Sequence, residues 1–287
     1  MASLALSILA SSLIFIIFKL YTRFKVNTLF AIVTNYFVAS SVGLMRYKGE
    51  TSFFDVPEKP WFFGTFILGI LFIVVFNLMA MASQKVGVAV TSVATKMSFV
   101  IPVVFGILLY NEELGTIKVI GILLALAAVY FAALKESAIK FKKSALILPA
   151  LVFLGSGVID ASLKYIQEIH IKEEDYPIFS ATVFASAAFI GLLITIFKAA
   201  EFRAKYNINT LIGGIALGVV NYFSIYFLLK ALQNETLNSS SVFTINNVAI
   251  VMFTTLLGII LFEEKISPKN WGGIALAVTS IILVAFG

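Results

Sequence analysis

Residues 86–134 read VGVAVTSVATKMSFVIPVVFGILLY, then NEELGTIKV, then IGILLALAAVYFAAL. The first stretch carries a single charge, Lys96. A helix needs about 20 mainly apolar residues to cross the hydrocarbon core of a bilayer. Two spans joined by a short polar turn are therefore predicted here. The same ruler moved outward gives ten candidate spans, over 2–18, 28–46, 61–82, 86–110, 117–134, 145–165, 177–197, 210–230, 236–262 and 270–286. Across all 287 residues, 60% are hydrophobic and 13% charged, against roughly 45–50% and about 25% for soluble domains. Mean hydropathy is +1.02. The chain reads as an all-α integral membrane protein with ten transmembrane helices, which excludes a soluble enzyme, a secreted disulfide scaffold and a disordered chain. The start, Met1-Ala2-Ser3-Leu4, lacks a basic n-region and reads as an uncleaved first span.

Counting residue types removes further chemistry. There is no cysteine and one histidine, His170. Thiolate nucleophiles, disulfides and multi-histidine metal sites are therefore not expected, and neither a metal nor a cofactor is called for. The net charge of +6 is spread over short connections, with no basic stripe for nucleic acid.

The opening stretch has an echo. Thr95-Lys96-Met97-Ser98, Glu112 and Gly121 are matched by Asn247-Val248-Ala249-Ile250, Glu264 and Gly273, at an offset of 152. In each copy an acid follows a long apolar span and a glycine nine residues later opens the next one. Residues 1–135 and 145–287 then form two five-helix repeats, joined by a basic linker over 136–144. Five is odd, so the second repeat enters the membrane from the opposite side. Inverted repeats of this kind characterise secondary transporters, with the substrate site near the midplane between them.

Two matching features carry a family likeness. Ser11 to Lys19 and Ser156 to Lys164 give each half a small-residue start to its first span that ends in lysine. Glu112-Glu113-Leu114-Gly115-Thr116 and Glu264-Lys265-Ile266-Ser267 give each half an acidic turn between its last two spans. Together with ten spans, these resemble the EamA-type members of the drug/metabolite transporter superfamily. The resemblance covers the whole chain, although the Trp and Asn of the family's first-span motif are missing. It implies a multi-pass plasma (inner) membrane exporter with both termini in the cytoplasm. Charge points the other way. Thirteen Lys and Arg residues lie in the odd-numbered connections and six in the even-numbered ones, which by the positive-inside bias places the odd connections in the cytoplasm and the termini outside.

Ionisable groups inside spans are costly, at least about 2.5–3.5 kcal/mol at the bilayer centre, and mark functional sites by default. Lys96 is the sharpest such signal. Pro102 lies six residues on; it lacks an N–H and is expected to kink the span and strip the Ser98 carbonyl of its helical partner. Thr95 and Ser98 would complete a polar pocket. The competing reading of Lys96 is a static ion pair. Asp160 sits mid-way along the sixth span with Lys164 at i+4, a spacing that lets them pair on one helical face; a coupling proton or Lys96 itself are its other expected partners. By the repeat, Asn246 and Asn247 face the same cavity, and Asn77 and Tyr226 add hydrogen-bonding groups. These residues are the candidate substrate site, weighed against polar contacts that merely hold helices together. The four acids at the two turns, Glu112, Glu113, Glu263 and Glu264, are expected to cap the spans that follow them.

No Gly-Lys-Ser phosphate loop is present, so transport would draw on a gradient. The leading reading is a secondary-active exporter of a small metabolite such as an amino acid, with protons as a candidate coupling partner, acting as a monomer or a homodimer. A drug or organic-cation exporter and a phosphorylated-lipid flippase are the alternatives. An enzyme is not expected, since no nucleophile–base constellation is found.

Overall fold

The apolar runs fold into helices whose ends fall on the polar residues between them. The computed structural model describes residues 2–47, 54–110, 115–133, 144–170, 176–232 and 239–286. The helices are α1 (Ala2–Arg23), α2 (Thr28–Arg46), α3 (Phe62–Lys85), α4 (Val88–Met97), α5 (Val100–Tyr110), α6 (Thr116–Ala133), α7 (Ser144–His170), α8 (Tyr176–Phe197), α9 (Ala199–Lys205), α10 (Ile208–Leu232), α11 (Ser239–Phe262) and α12 (Pro268–Phe286). All regular structure among the described residues is helical. Among those residues, eight helical stretches are long and apolar enough to cross a membrane, and Val119–Ala132 and Pro268–Val284 are shorter apolar segments.

Local chemistry sets the boundaries. Asn27 caps α2, its side chain accepting from the Phe30 N–H at 3.2 Å. α1 closes when Lys25 turns to φ 53° and the Val26 N–H reaches back to the Tyr21 carbonyl at 2.9 Å, the 6→1 bond that ends many helices. Ser267 and Asn270 bond reciprocally at the start of α12. Two expectations need correcting here. α7 continues beyond the predicted span 145–165 and ends at His170. The seventh connection also folds: α9 is a short surface helix whose Glu201 pairs with Lys198 and Lys205. Chiefly through its hydrogen bond from Lys205, the Glu201 carboxyl titrates below the usual carboxylate range.

The helices pack in a pattern that survives exchange of the two halves. α1 lies on α10 as α7 lies on α3, and α2 lies on α10 as α8 lies on α3. α1 meets α11 as α7 meets α4 and α5; α11 meets α12 as α4 meets α6. The pairs α2–α8, α4–α11 and α6–α12 join the halves directly. Glycines set the closest approaches. A Cβ at Gly218 would stand 2.7 Å from the Asn35 carbonyl of α2, and one at Gly69 2.8 Å from the Ala187 nitrogen of α8. Without a hydrophobic drive between helices in lipid, such contacts carry the association.

Gly272 and Gly273 make this testable. A Cβ at Gly273 would collide with the backbone of Phe131 and Ala132 in α6, while one at Gly272 would meet nothing within 4 Å. Gly273→Val is expected to destabilise the fold by about 1–3 kcal/mol, the usual cost of overpacking, and Gly272→Val to leave it nearly unchanged. Thermal unfolding in detergent compares them, and equal melting temperatures would refute the close α6–α12 contact.

Four of the five odd-numbered connections gather at one end. The Asn27 N–H donates to Thr210 Oγ1 at 3.1 Å, linking the first connection to the seventh. Lys19 pairs with Glu264 at 3.3 Å, linking the first to the ninth, and Glu264 in turn touches the third.

Candidate functional site

The fourth span breaks beside its lysine. α4 stops at Met97 and α5 starts at Val100, so the interruption falls at Ser98 and Phe99, just ahead of Pro102. The bare Ser98 carbonyl expected four residues before the proline is not found. The Ile101 N–H reaches the Ser98 carbonyl at 2.9 Å, a tighter i→i+3 bond of the kind that relieves helix ends. The break at Ser98 and Phe99 therefore leaves the Ser98 carbonyl partnered.

Lys96 occupies the last turn of α4 and is half-buried. Next to it, fully buried Ser98 donates from Oγ to the Thr95 carbonyl at 2.6 Å and towards Asp160 Oδ2 at 3.3 Å. Thr95 is partly open, its hydroxyl bonded to the Thr91 carbonyl at 2.9 Å. Asp160, from α7, is the charge that Lys96 feels. The two do not close to the 4.0 Å of an ion pair. Asp160 is densely surrounded by protein, yet its own surface is exposed.

Energetics favour leaving that pair apart. At an effective dielectric of about 20, unit charges 4 Å apart attract by about 4 kcal/mol. Even a somewhat longer separation offsets much of the roughly 2.5–3.5 kcal/mol needed to place the lysine in the membrane. Closing to contact would add attraction but strip water from both groups.

The other candidates scatter. Asn246 is buried, and its Oδ1 accepts from Ser7 of α1 at 3.2 Å, a link between α11 and α1. Asn247 is partly exposed and has no hydrogen bond among the described residues. Asn77 donates to its own helix, to the Ile73 carbonyl at 2.8 Å. Asn35 and Asn221 bond each other across α2 and α10 at 3.2 Å. Pro102 is partly exposed. The side chain of Lys164, and Glu112 and Glu113, lie outside the described residues.

Two residues escaped the sequence reading. Arg46, counted only as a loop charge, donates to Tyr226 Oη at 3.1 Å and lies 4.6 Å from that ring's centroid; Tyr222 stacks on Tyr226. Glu264, expected to cap α12, instead caps α4 across the half boundary. Neither partnership has a signal in linear spacing, since both join helices far apart in the chain.

Comparison with known proteins gives this arrangement its context. The model of the EamA-like transporter family matches residues 1–134 and again 145–286. The chain belongs to the EamA-like transporter family. This EamA protein is accordingly a multi-pass membrane transporter of the drug/metabolite type, and the two matched segments are its repeats. It is 27% identical over 296 residues to a Haemophilus influenzae protein described as uncharacterized, across 100% of this chain and 98% of that one. A solved crystal structure shares the fold with a TM-score of 0.60 at 16% identity, over 99% of this chain and 98% of that chain. The break between α4 and α5 therefore lies within the first EamA repeat, and its Ser98 meets Asp160 of the second.

Proposed function

We propose that this EamA transporter is a secondary-active exporter of a zwitterionic metabolite, an amino acid or a close relative. In this reading ten spans form two inverted five-helix halves in the plasma (inner) membrane, and access to a central site alternates between the faces. The observation that carries it is the Lys96–Asp160 pair, one charge from each half, set deep in the helices without contact. An ammonium and a carboxylate held apart suit a ligand carrying both complements, a carboxylate for Lys96 and an ammonium for Asp160. Broken helices beside such groups are the usual place for substrate in inverted-repeat transporters. When no substrate is bound, a proton on Asp160 is the natural replacement for the substrate's ammonium, which provides a route to coupling.

A thermal-shift screen of the purified protein tests the substrate class. Amino acids are expected to raise the melting temperature in proportion to the logarithm of their concentration above Kd. Simple carboxylates and simple amines, each satisfying one charge, are expected to act more weakly. Stabilisation by organic cations or phosphorylated lipids, with none from amino acids, would overturn the assignment.

A further inference from the structure

One carboxylate ties three helix junctions together at the end where the odd-numbered connections gather. After α11, Glu263 takes φ 52° and the Glu264 N–H returns to the Gly258 carbonyl at 3.1 Å. This tight exit points Glu264 back at the start of α4. Its two oxygens accept from the Val88 N–H at 2.9 and 3.1 Å, and Oε2 also lies 3.5 Å from the Ala89 N–H. A carboxylate at a helix N-terminus meets unpaired N–H groups and the positive end of the helix dipole. Lys19 of α1 adds its ammonium at 3.3 Å and bonds the Gln84 carbonyl at 3.5 Å. Gln84 in turn donates to the Phe18 carbonyl at 3.1 Å and to Thr28 at 3.2 Å.

The space is built for that carboxylate. Gly87, at φ 131°, leads into α4, and a Cβ there would stand 3.1 Å from both oxygens. A Cβ at Gly258 would come within 2.8 Å of Oε2. Glycine at both places lets the acid enter between two backbones. Among the described ion pairs, Lys19–Glu264 joins the two halves, whereas the other two lie at α9. The helix it grips is the one that carries Lys96 in its last turn.

We propose that Glu264 is the closing residue of this end of the transporter: its grip on α4 shuts the route from the odd-numbered connections to Lys96, and its release opens it. The inference rests on the alternating-access reading, which requires the halves to separate at one end at a time. In the closed state the α11–α12 turn, α1 and the start of α4 move as one body. In the open state Val88 and Ala89 lose their carboxylate and α4 swings away from the second half, carrying Lys96 with it.

The absence of cysteine allows a direct test. A Thr95→Cys reporter, beside Lys96, is treated with a membrane-impermeant maleimide from one face at a time in oriented vesicles. Glu264→Ala is expected to raise labelling from the odd-connection face at least tenfold over the reporter alone. Val88→Pro is the second variant. It removes the N–H that Glu264 holds, at the first helical position where proline is tolerated, and is expected to give the same increase with Glu264 intact. Odd-face labelling unchanged in both variants, with labelling from the other face retained, would overturn the closing role while leaving the proposed central site standing. A reporter that reacts from neither face in any background would overturn the accessible central site of the proposed function, and this proposal with it.

Discussion

Lys96→Met is expected to abolish substrate-driven flux in proteoliposomes while the protein still purifies as a single folded species. Methionine keeps the length and apolar stem of lysine, so packing at the end of α4 is preserved and only the charge is lost. Removing the membrane penalty of the ammonium even favours insertion. What disappears is the cation that receives a carboxylate. Hydrogen bonds to charged groups contribute about 1.5–3 kcal/mol, or roughly ten- to 150-fold in affinity, and binding should fall by at least that much. Lys96→Arg keeps the charge but replaces a compact ammonium with a planar fork; it is expected to bind with altered selectivity instead of failing outright. Wild-type flux in Lys96→Met would make the lysine a structural residue and remove the basis for the substrate assignment.

Asp160→Asn carries the second large effect. The amide keeps the shape of the carboxylate and an oxygen for the Ser98 hydroxyl, now at 3.3 Å, so the α4–α7 contact survives. The negative charge does not. Affinity for zwitterions is expected to fall at least tenfold, the loss of a charged hydrogen bond, while a carboxylate without an amine binds about as before. Flux in the variant should no longer respond to an imposed pH gradient, because asparagine has no proton to exchange. A response equal to that of the parent would remove Asp160 from coupling, and equal loss for zwitterions and simple carboxylates would remove it from ammonium recognition. The double variant separates the two roles. If Lys96 and Asp160 grip opposite ends of one ligand, the losses add; if they chiefly neutralise each other, removing both harms less than the single changes imply.

The linear pattern carried a good deal of this. The helical stretches fall on the apolar runs, and the repeat read from Glu112–Gly121 and Glu264–Gly273 corresponds to the two segments the family model matches. Ends and partners were harder. α1 runs five residues past the apolar run 2–18, and no hydropathy rule extends a span through a stretch that holds Lys19 and Arg23. The Ser98 carbonyl was expected to stand open, but the neighbouring N–H of Ile101 bent to meet it.

The acids at the turns show the limit most clearly. Glu264 precedes α12, and capping the next helix is the sensible expectation for it. Ser267 and Asn270 already occupy that start, and the α11 exit aims Glu264 across the half boundary at α4. Similarly, Arg46 looked like one more topological charge until α10 brought Tyr226 beneath it.

Span positions and the doubling of the chain were settled by the sequence alone, because the cost of entering lipid is a sum over about 20 neighbouring residues and composition over that window is written in the chain. Which polar groups meet was settled only by the tertiary structure. Lys96 faces Asp160, and Glu264 grips Val88 across 176 residues, because glycine-lined helices of the two halves pack closely enough to bring them together. A buried polar group has no favourable state without a partner, but its partner is selected by packing geometry, which no local window encodes.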